Sequence, residues 1–319
     1  PSWGYVATAN NRILKYGLFP WELQSYYCDH YRQYRIEELI NKCKGDGITV
    51  DDMMKIQKDI KSSAMEEVIP VLVKLAEKDP GKLTDLDRRV LSMLSNWNYV
   101  MDKDRPEPAI AFMWTLLVHY DLWKPMLTRA SLDMDYCLVK AEFTSYVLKQ
   151  VLNGNTELEK YFGNNAADFV IARLHNAEKL LGAYYKAEND PGKWVWGKIH
   201  YYYSKHPMGS VLPWLNYPKE PASGGPFTIN VAPQRPDNPY KGLPPVDHGP
   251  SIRFIAILNP ENPGAGYLML PGGNNGNPFS QHYTDLYYQW VNLEYHKIRM
   301  DPTPSDLSDI KQTIITLEP

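Results

Sequence analysis

The sequence predicts an α+β fold, with a long helical lobe inserted between two strand-bearing segments. Three observations predict it. Residues 35–188 place apolar residues at helical spacing, residues 190–319 turn to Gly, Pro and short β-type runs, and Gly4–Ala9 alternates as a half-buried strand does. Strands, then helices, then strands is the order of an α+β domain, so the first and last stretches are expected to share one sheet.

Each element has its own warrant. Asn10 and Asn11 follow the Gly4–Ala9 run, and Asn is a common residue at strand ends and turns. Arg35–Cys43 carries Ile36, Leu39 and Ile40 on one helical face. Thr49-Val50-Asp51-Asp52 has the form of a capping box, and Met53, Ile56, Ile60 and Ala64 continue from it at helical spacing. Thr84-Asp85-Leu86-Asp87 starts another helix, bearing Val90, Leu91 and Leu94. Ala109–Tyr120 is almost wholly apolar and is expected at the centre of the lobe. Helices are also expected over 131–152 and 165–186. In the last stretch, strands are expected at Phe227–Val231, Ile252–Leu258, Tyr267–Leu270 and Thr313–Leu317, with a short helix at Tyr283–Glu294.

Composition excludes several functions. Lys plus Arg number 34 against 37 Asp plus Glu, a net charge of −3, which supplies no footprint for nucleic acid or an anionic membrane. No run of 18 apolar residues exists to span a bilayer. Cys28, Cys43 and Cys137 lack metal-type spacing and read as unpaired thiols. The 23 tyrosines suit sheet and interface packing better than a carbohydrate platform, since no acid pair in a loop-and-strand setting accompanies them. A start at Pro1 rather than Met is expected from processing, cleavage or trimming.

Standard catalytic signatures are missing. The chain has no GxSxG elbow, HExxH, P-loop or GxGxxG. Asp133 and Asp135 read as helix-capping acids, and Gly272–Gly276 as a loop more than an anion cradle.

Five blocks, in order, resemble the penicillin acylase (penicillin amidase) family of N-terminal-nucleophile hydrolases. They are WGYVATANNRI (Trp3–Ile13), YRQYRIEELI (Tyr31–Ile40), QKDIKSSA (Gln57–Ala64), HPMG (His206–Gly209) with Gly224-Gly225-Pro226 and TINVA (Thr228–Ala232), and GPSIR (Gly249–Arg253) with LPGGNNGNPFSQHYTD (Leu270–Asp285). The last is the most specific, because its Gly, Pro, His and Tyr spacings all agree.

The resemblance implies an αββα sandwich, with residues 1–319 as the C-terminal part of one domain, 35–188 as its helical lobe and 190–319 as its strand- and loop-rich part. It implies an amide hydrolase acting on small N-acyl substrates through an N-terminal Ser whose own amine is the base. Pro1 offers no side-chain nucleophile and Ser2 is not N-terminal, so the Ser is expected on an upstream chain of the same precursor and this chain alone is expected to be inactive. The oxyanion-hole Asn falls on Asn10, with Asn11 open as a one-residue slip. The family's active-site Arg falls on Arg32, with Arg35 as its competitor. His206 and His282 are expected to be structural, and Arg253 and Asp285 to form structural ion pairs. No catalytic cofactor is implied. A structural calcium is, with ligands mostly outside this chain, since the family's one acid here reads Trp21, beside Glu22. The family's WDG reads Trp97-Asn98-Tyr99. An extracytoplasmic location, periplasmic or secreted, is implied as well. The alternative is a non-catalytic binding or scaffold protein that retains the fold.

Overall fold

The computed structural model describes residues 4–13, 21, 27–45, 47–133, 140–246, 248–258 and 265–298. They fall into two compact units. One holds the described residues up to Ile48 and from Lys55 to Gly249; the other holds Thr49–Met54 and those from Pro250 onward.

Helices dominate the first unit, as the periodicity predicts. They are α1 (Tyr31–Cys43), α2 (Val50–Gln57), α3 (Ser63–Ala76), α4 (Asp85–Ser95), α5 (Glu107–Arg129), α6 (Ala141–Leu152), α7 (Thr156–Glu159), α8 (Ala166–Tyr185) and α9 (Trp196–Ile199), and α2 takes its first residues from the second unit. Both sequence-read capping boxes form. The Thr49 hydroxyl accepts from the Asp52 N–H at 3.2 Å while Asp52 Oδ2 accepts from the Thr49 N–H at 3.0 Å. Thr84 and Asp87 do the same for α4.

One helix differs from expectation. Spacing alone runs Met53, Ile56, Ile60 and Ala64 into a single helix, but α2 stops at Gln57 and α3 begins afresh at Ser63. Ser62 caps the new helix, accepting from the Met65 N–H. The backbone between is spent elsewhere: Ser62 N–H donates to Tyr99 O, and Met101 N–H to Ile60 O, each at 2.9 Å. The helix expected over 131–152 is described from Ala141, and Asp135 lies outside the described residues.

α5 forms the axis of the lobe against α3 and α8. Ile110, Trp114, Leu117 and Val118 of α5 are fully buried, beside Leu72 and Leu75 of α3 and Val170 and Leu174 of α8. Each such aliphatic side chain contributes roughly 1.5–3 kcal/mol of burial. The buried indoles find partners: Trp114 Nε1 donates to Val170 O (2.9 Å), Trp194 Nε1 to Ala187 O (2.9 Å) and Trp196 Nε1 to Gly224 O (3.0 Å).

A buried acid pair joins α4 to α8. Asp87 is fully buried and accepts from His175 Nε2 at 2.9 Å, and the buried Glu178 carboxyl lies close enough to feel its charge. Burial first, then the Asp87 carboxyl, push the Glu178 carboxyl from 4.5 up to about 8. Folding therefore favours protonated Glu178. Its contribution is complete below the ordinary Glu range and is lost as pH rises through about 8. Within that window stability is expected to fall by up to about 1.4 kcal/mol per pH unit. Glu178→Gln should remove this slope, matching the parent near pH 5 and exceeding it near pH 9 in urea unfolding. Parallel pH curves for the two proteins would refute a raised Glu178 carboxyl.

Strands are short. In the first unit β1 (Tyr201–Tyr202) pairs antiparallel with β2 (Glu220–Pro221). In the second, β3 (Arg253–Ala256), β4 (Gly266–Met269) and β5 (His296–Ile298) form an antiparallel sheet in that order, with α10 (Asp285–Val291) against β4. Thus the runs expected at Ile252–Leu258 and Tyr267–Leu270 pair with each other, and the helix expected at 283–294 forms in shorter span.

Gly4–Ala9 keeps its alternation of exposure, with Val6 86% exposed, yet joins no ladder among the described residues. Phe227–Val231 is a turn, because the Thr228 hydroxyl takes the Gly225 N–H (2.9 Å) and donates to Asn230 O (2.7 Å). Thr313–Leu317 lies outside the described residues. No described helix is long and apolar enough to cross a membrane.

Candidate functional site

A cleft of about 590 Å³ opens in the first unit, beside the segment that ends the Gly4–Ile13 run. Thr8–Asn11 and Arg32 line one side, and Tyr27, Ile36 and Ile229 supply apolar walls. Arg32 is the only charged residue among the described lining residues.

The two asparagines point to different fates. Asn10 has φ 62°, the left-handed region that Asn tolerates better than most residues. This twist leaves Asn10 exposed and turns Asn11 inward, to 8% exposure. Asn11 spends both ends of its amide locally: Oδ1 accepts from the Ala9 N–H at 3.0 Å, and Nδ2 donates to Arg12 O at 3.1 Å. Asn10 spends only one. Its Oδ1 accepts from Arg32 Nη2 at 2.8 Å, and the same Nη2 donates to Ala9 O at 3.0 Å. A guanidinium is a donor only, so the amide atom it meets must be the oxygen. The Asn10 amide NH₂ is thereby left as an uncharged double donor at the cleft, with no hydrogen-bond partner among the described residues. Behind it, the Cys28 N–H donates to Asn10 O at 2.8 Å and holds the backbone.

The two arginines also separate. Arg32 lies in the first turn of α1 and reaches the cleft. Arg35, one turn on, is consumed by carboxylates. Its Nε and Nη2 grip both oxygens of Asp59 at 3.0 and 2.7 Å, and its Nη1 donates to Glu38 at 2.8 Å. Lys42, and then Arg35, hold the Glu38 carboxyl down at about 2. Asp59 in turn accepts the Asn230 N–H on its backbone carbonyl at 3.0 Å, so the Arg35 pair braces the loop that carries Ile229 into the cleft.

Other sequence candidates serve the scaffold. His206 Nδ1 accepts from the Met208 N–H at 3.1 Å, and His282 Nδ1 pairs with Asp285 at 2.7 Å. Arg253 donates to Trp290 O at 2.8 Å, with its guanidinium over the Trp290 ring. In the Gly272–Gly276 loop, the N–H groups of Gly273 and Asn275 are bonded to the carbonyls of Tyr283 and His282, so they are not aimed at an anion. A Cβ on Gly273 would fall 2.0 Å from His282 O, which explains glycine there.

No metal site is indicated among the described residues. Glu22 lies outside the described residues, and among them no group of three or more His, Cys, Asp or Glu is gathered to hold an ion. Cys28 and Cys43 are free, and Cys137 lies outside the described residues.

The sequence pattern assigned Tyr27, Ile36, Ile229 and the Cys28 amide no place at the cleft. Ile36 alone left a signal, standing one helical turn after Arg32. The others come from loops whose placement no local pattern encodes.

The family model described as penicillin amidase matches residues 1–306. Among solved structures, a thermostable penicillin G acylase from Alcaligenes faecalis superposes with a TM-score of 0.53 at 16% identity. The match covers 100% of this chain and 58% of that one, so the likeness shows the fold over little more than half of the acylase's length. No curated protein sequence matches the chain.

Proposed function

The chain belongs to the penicillin amidase family, and from that membership we propose that it is the part of an amide hydrolase that supplies one donor of the oxyanion hole. One observation carries the reading: Arg32 holds Asn10 Oδ1, which leaves the Asn10 NH₂ at the cleft. The nucleophile in this reading is an N-terminal Ser on a processed upstream chain, with its own amine as base. Attack on the acyl carbon places negative charge on the carbonyl oxygen, and an amide NH₂ within about 2.7–3.1 Å stabilises it without the desolvation cost of an ion. The positive charge of Arg32 behind the amide polarises it toward the same end. Tyr27, Ile36 and Ile229 suit the apolar part of a small N-acyl substrate. The finer fold in this reading is the αββα sandwich, to which residues 1–319 contribute one portion, in an extracytoplasmic protein.

The test is to isolate the protein from its native source, identify every co-purifying chain by mass spectrometry, and assay N-acyl amides. A partner chain beginning with Ser, Thr or Cys, together with hydrolysis, supports the proposal. A pure 319-residue chain that binds such amides without cleaving them would favour the scaffold alternative.

A further inference from the structure

We propose that Asp29 and Glu142 are positioning residues, a reciprocal pair of helix caps through which the helical lobe sets Asn10 and Arg32. The inference rests on the reading of that site given above.

Neither α1 nor α6 is capped by its own N-cap side chain: His30 and Lys140 make no such bond. Each helix borrows its cap from the other's neighbourhood. Glu142, in the first turn of α6, accepts on Oε1 from the His30 N–H at 2.5 Å and pairs with His30 Nδ1 at 2.7 Å. Asp29, just before α1, accepts on Oδ1 from the Glu142 N–H at 3.2 Å. Two helix starts 110 residues apart in sequence (Tyr31 and Ala141) thus exchange acceptors. Both acids lie at positive helix ends, where negative charge is favoured.

A second contact beside the pair ties the same elements. Glu67 of α3 accepts from the Tyr31 hydroxyl at 3.3 Å and meets Lys149 Nζ of α6 at 3.0 Å. Asp29 and His30 are therefore held from the lobe side.

What they hold is the site. Cys28, next to Asp29, donates the hydrogen bond that fixes the Asn10 carbonyl, and Arg32, two residues after His30, holds the Asn10 amide. Both clamps on Asn10 thus flank the capped pair along one short run of chain. Loosening residues 29–30 frees both at once, although neither acid lines the cleft.

Hydrogen exchange at the Cys28 amide reads this directly in the 319-residue chain, whether or not it hydrolyses anything. Glu142→Ala is expected to speed that exchange about tenfold, with core amides of α5 unchanged. Glu142→Gln, which keeps an oxygen acceptor, is expected to restore most of the protection. If Glu142→Ala does not fold, Glu142→Asp withdraws the acceptor by one methylene and is expected to act in the same direction. In the assembled hydrolase, kcat is expected to follow Cys28 protection across the series with KM little changed. Unchanged Cys28 exchange in a folded Glu142→Ala or Glu142→Asp protein overturns the proposal. Altered exchange combined with no effect of Asn10 substitutions on turnover would instead overturn the reading of the site.

Discussion

Asn10→Gly in the assembled hydrolase is expected to lower kcat by about 10²–10³, the usual cost of one oxyanion-hole donor, with little loss of stability. Glycine is the informative replacement because Asn10 sits at φ 62°. Alanine would add backbone strain of roughly 1–2 kcal/mol and confuse folding with chemistry, whereas glycine accepts this conformation freely. The exposed side chain buries little, so a stable protein is expected. Asn10→Asp sharpens the comparison. It keeps an oxygen for Arg32 and tolerates the left-handed backbone, but it has no N–H to donate. Both variants should therefore fall together in kcat, measured at saturating substrate, with thermal unfolding as the control. Full turnover in Asn10→Gly would mean that asparagine is there for the turn alone, and the oxyanion assignment would fail.

The arginine pair carries the second large effect, and it runs the other way. Arg35→Met is expected to destabilise the protein by up to about 3 kcal/mol, since it strips the half-buried Asp59 carboxylate of its cation. The side chains of Arg35 and Asp59 are only 11% and 15% exposed, so this pair lies outside the regime of surface bridges worth about 0–1 kcal/mol. Asp59 also anchors Asn230, so the loop carrying Ile229 should loosen with it. Arg32→Met should do the reverse, costing little stability and much turnover, because among the described residues its hydrogen bonds go only to Ala9 O and Asn10 Oδ1. Chemical denaturation alongside steady-state kinetics separates the two. A stable but slow Arg35→Met protein would exchange the roles of the two arginines.

Local signals read well where the structure is local. Thr49 and Thr84 cap the helices their spacing announces, and the apolar run Ala109–Tyr120 lies at the centre of the lobe. The misreadings share a cause. The Met53–Ala64 periodicity is broken by hydrogen bonds that tie the Ile60 carbonyl to the Met101 N–H and the Ser62 N–H to Tyr99 O, and Phe227–Val231 yields its strand to the Thr228 hydroxyl. In both places a partner that periodicity cannot see took the backbone groups a regular element needs. The QKDIKSSA block shows both sides. Its motif was legible, but that Asp59 grips Arg35 and Ser62 caps α3 was not.

Periodicity, caps and motifs are written in neighbouring residues, so the family, the α+β class, the helical lobe and a short list for the site are legible in the chain before it folds. Asn10 or Asn11, and Arg32 or Arg35, remained open there, since members of each pair differ by one residue or one helical turn. Tertiary structure alone separated them geometrically. A left-handed backbone at Asn10, an amide donated from Cys28 and a carboxylate waiting at Asp59 decide which amide is left at the cleft and which guanidinium is spent elsewhere. The physical reason is that a hydrogen-bonding group is available to a ligand only if no other part of the chain has already satisfied it, and that accounting closes only when the chain is folded.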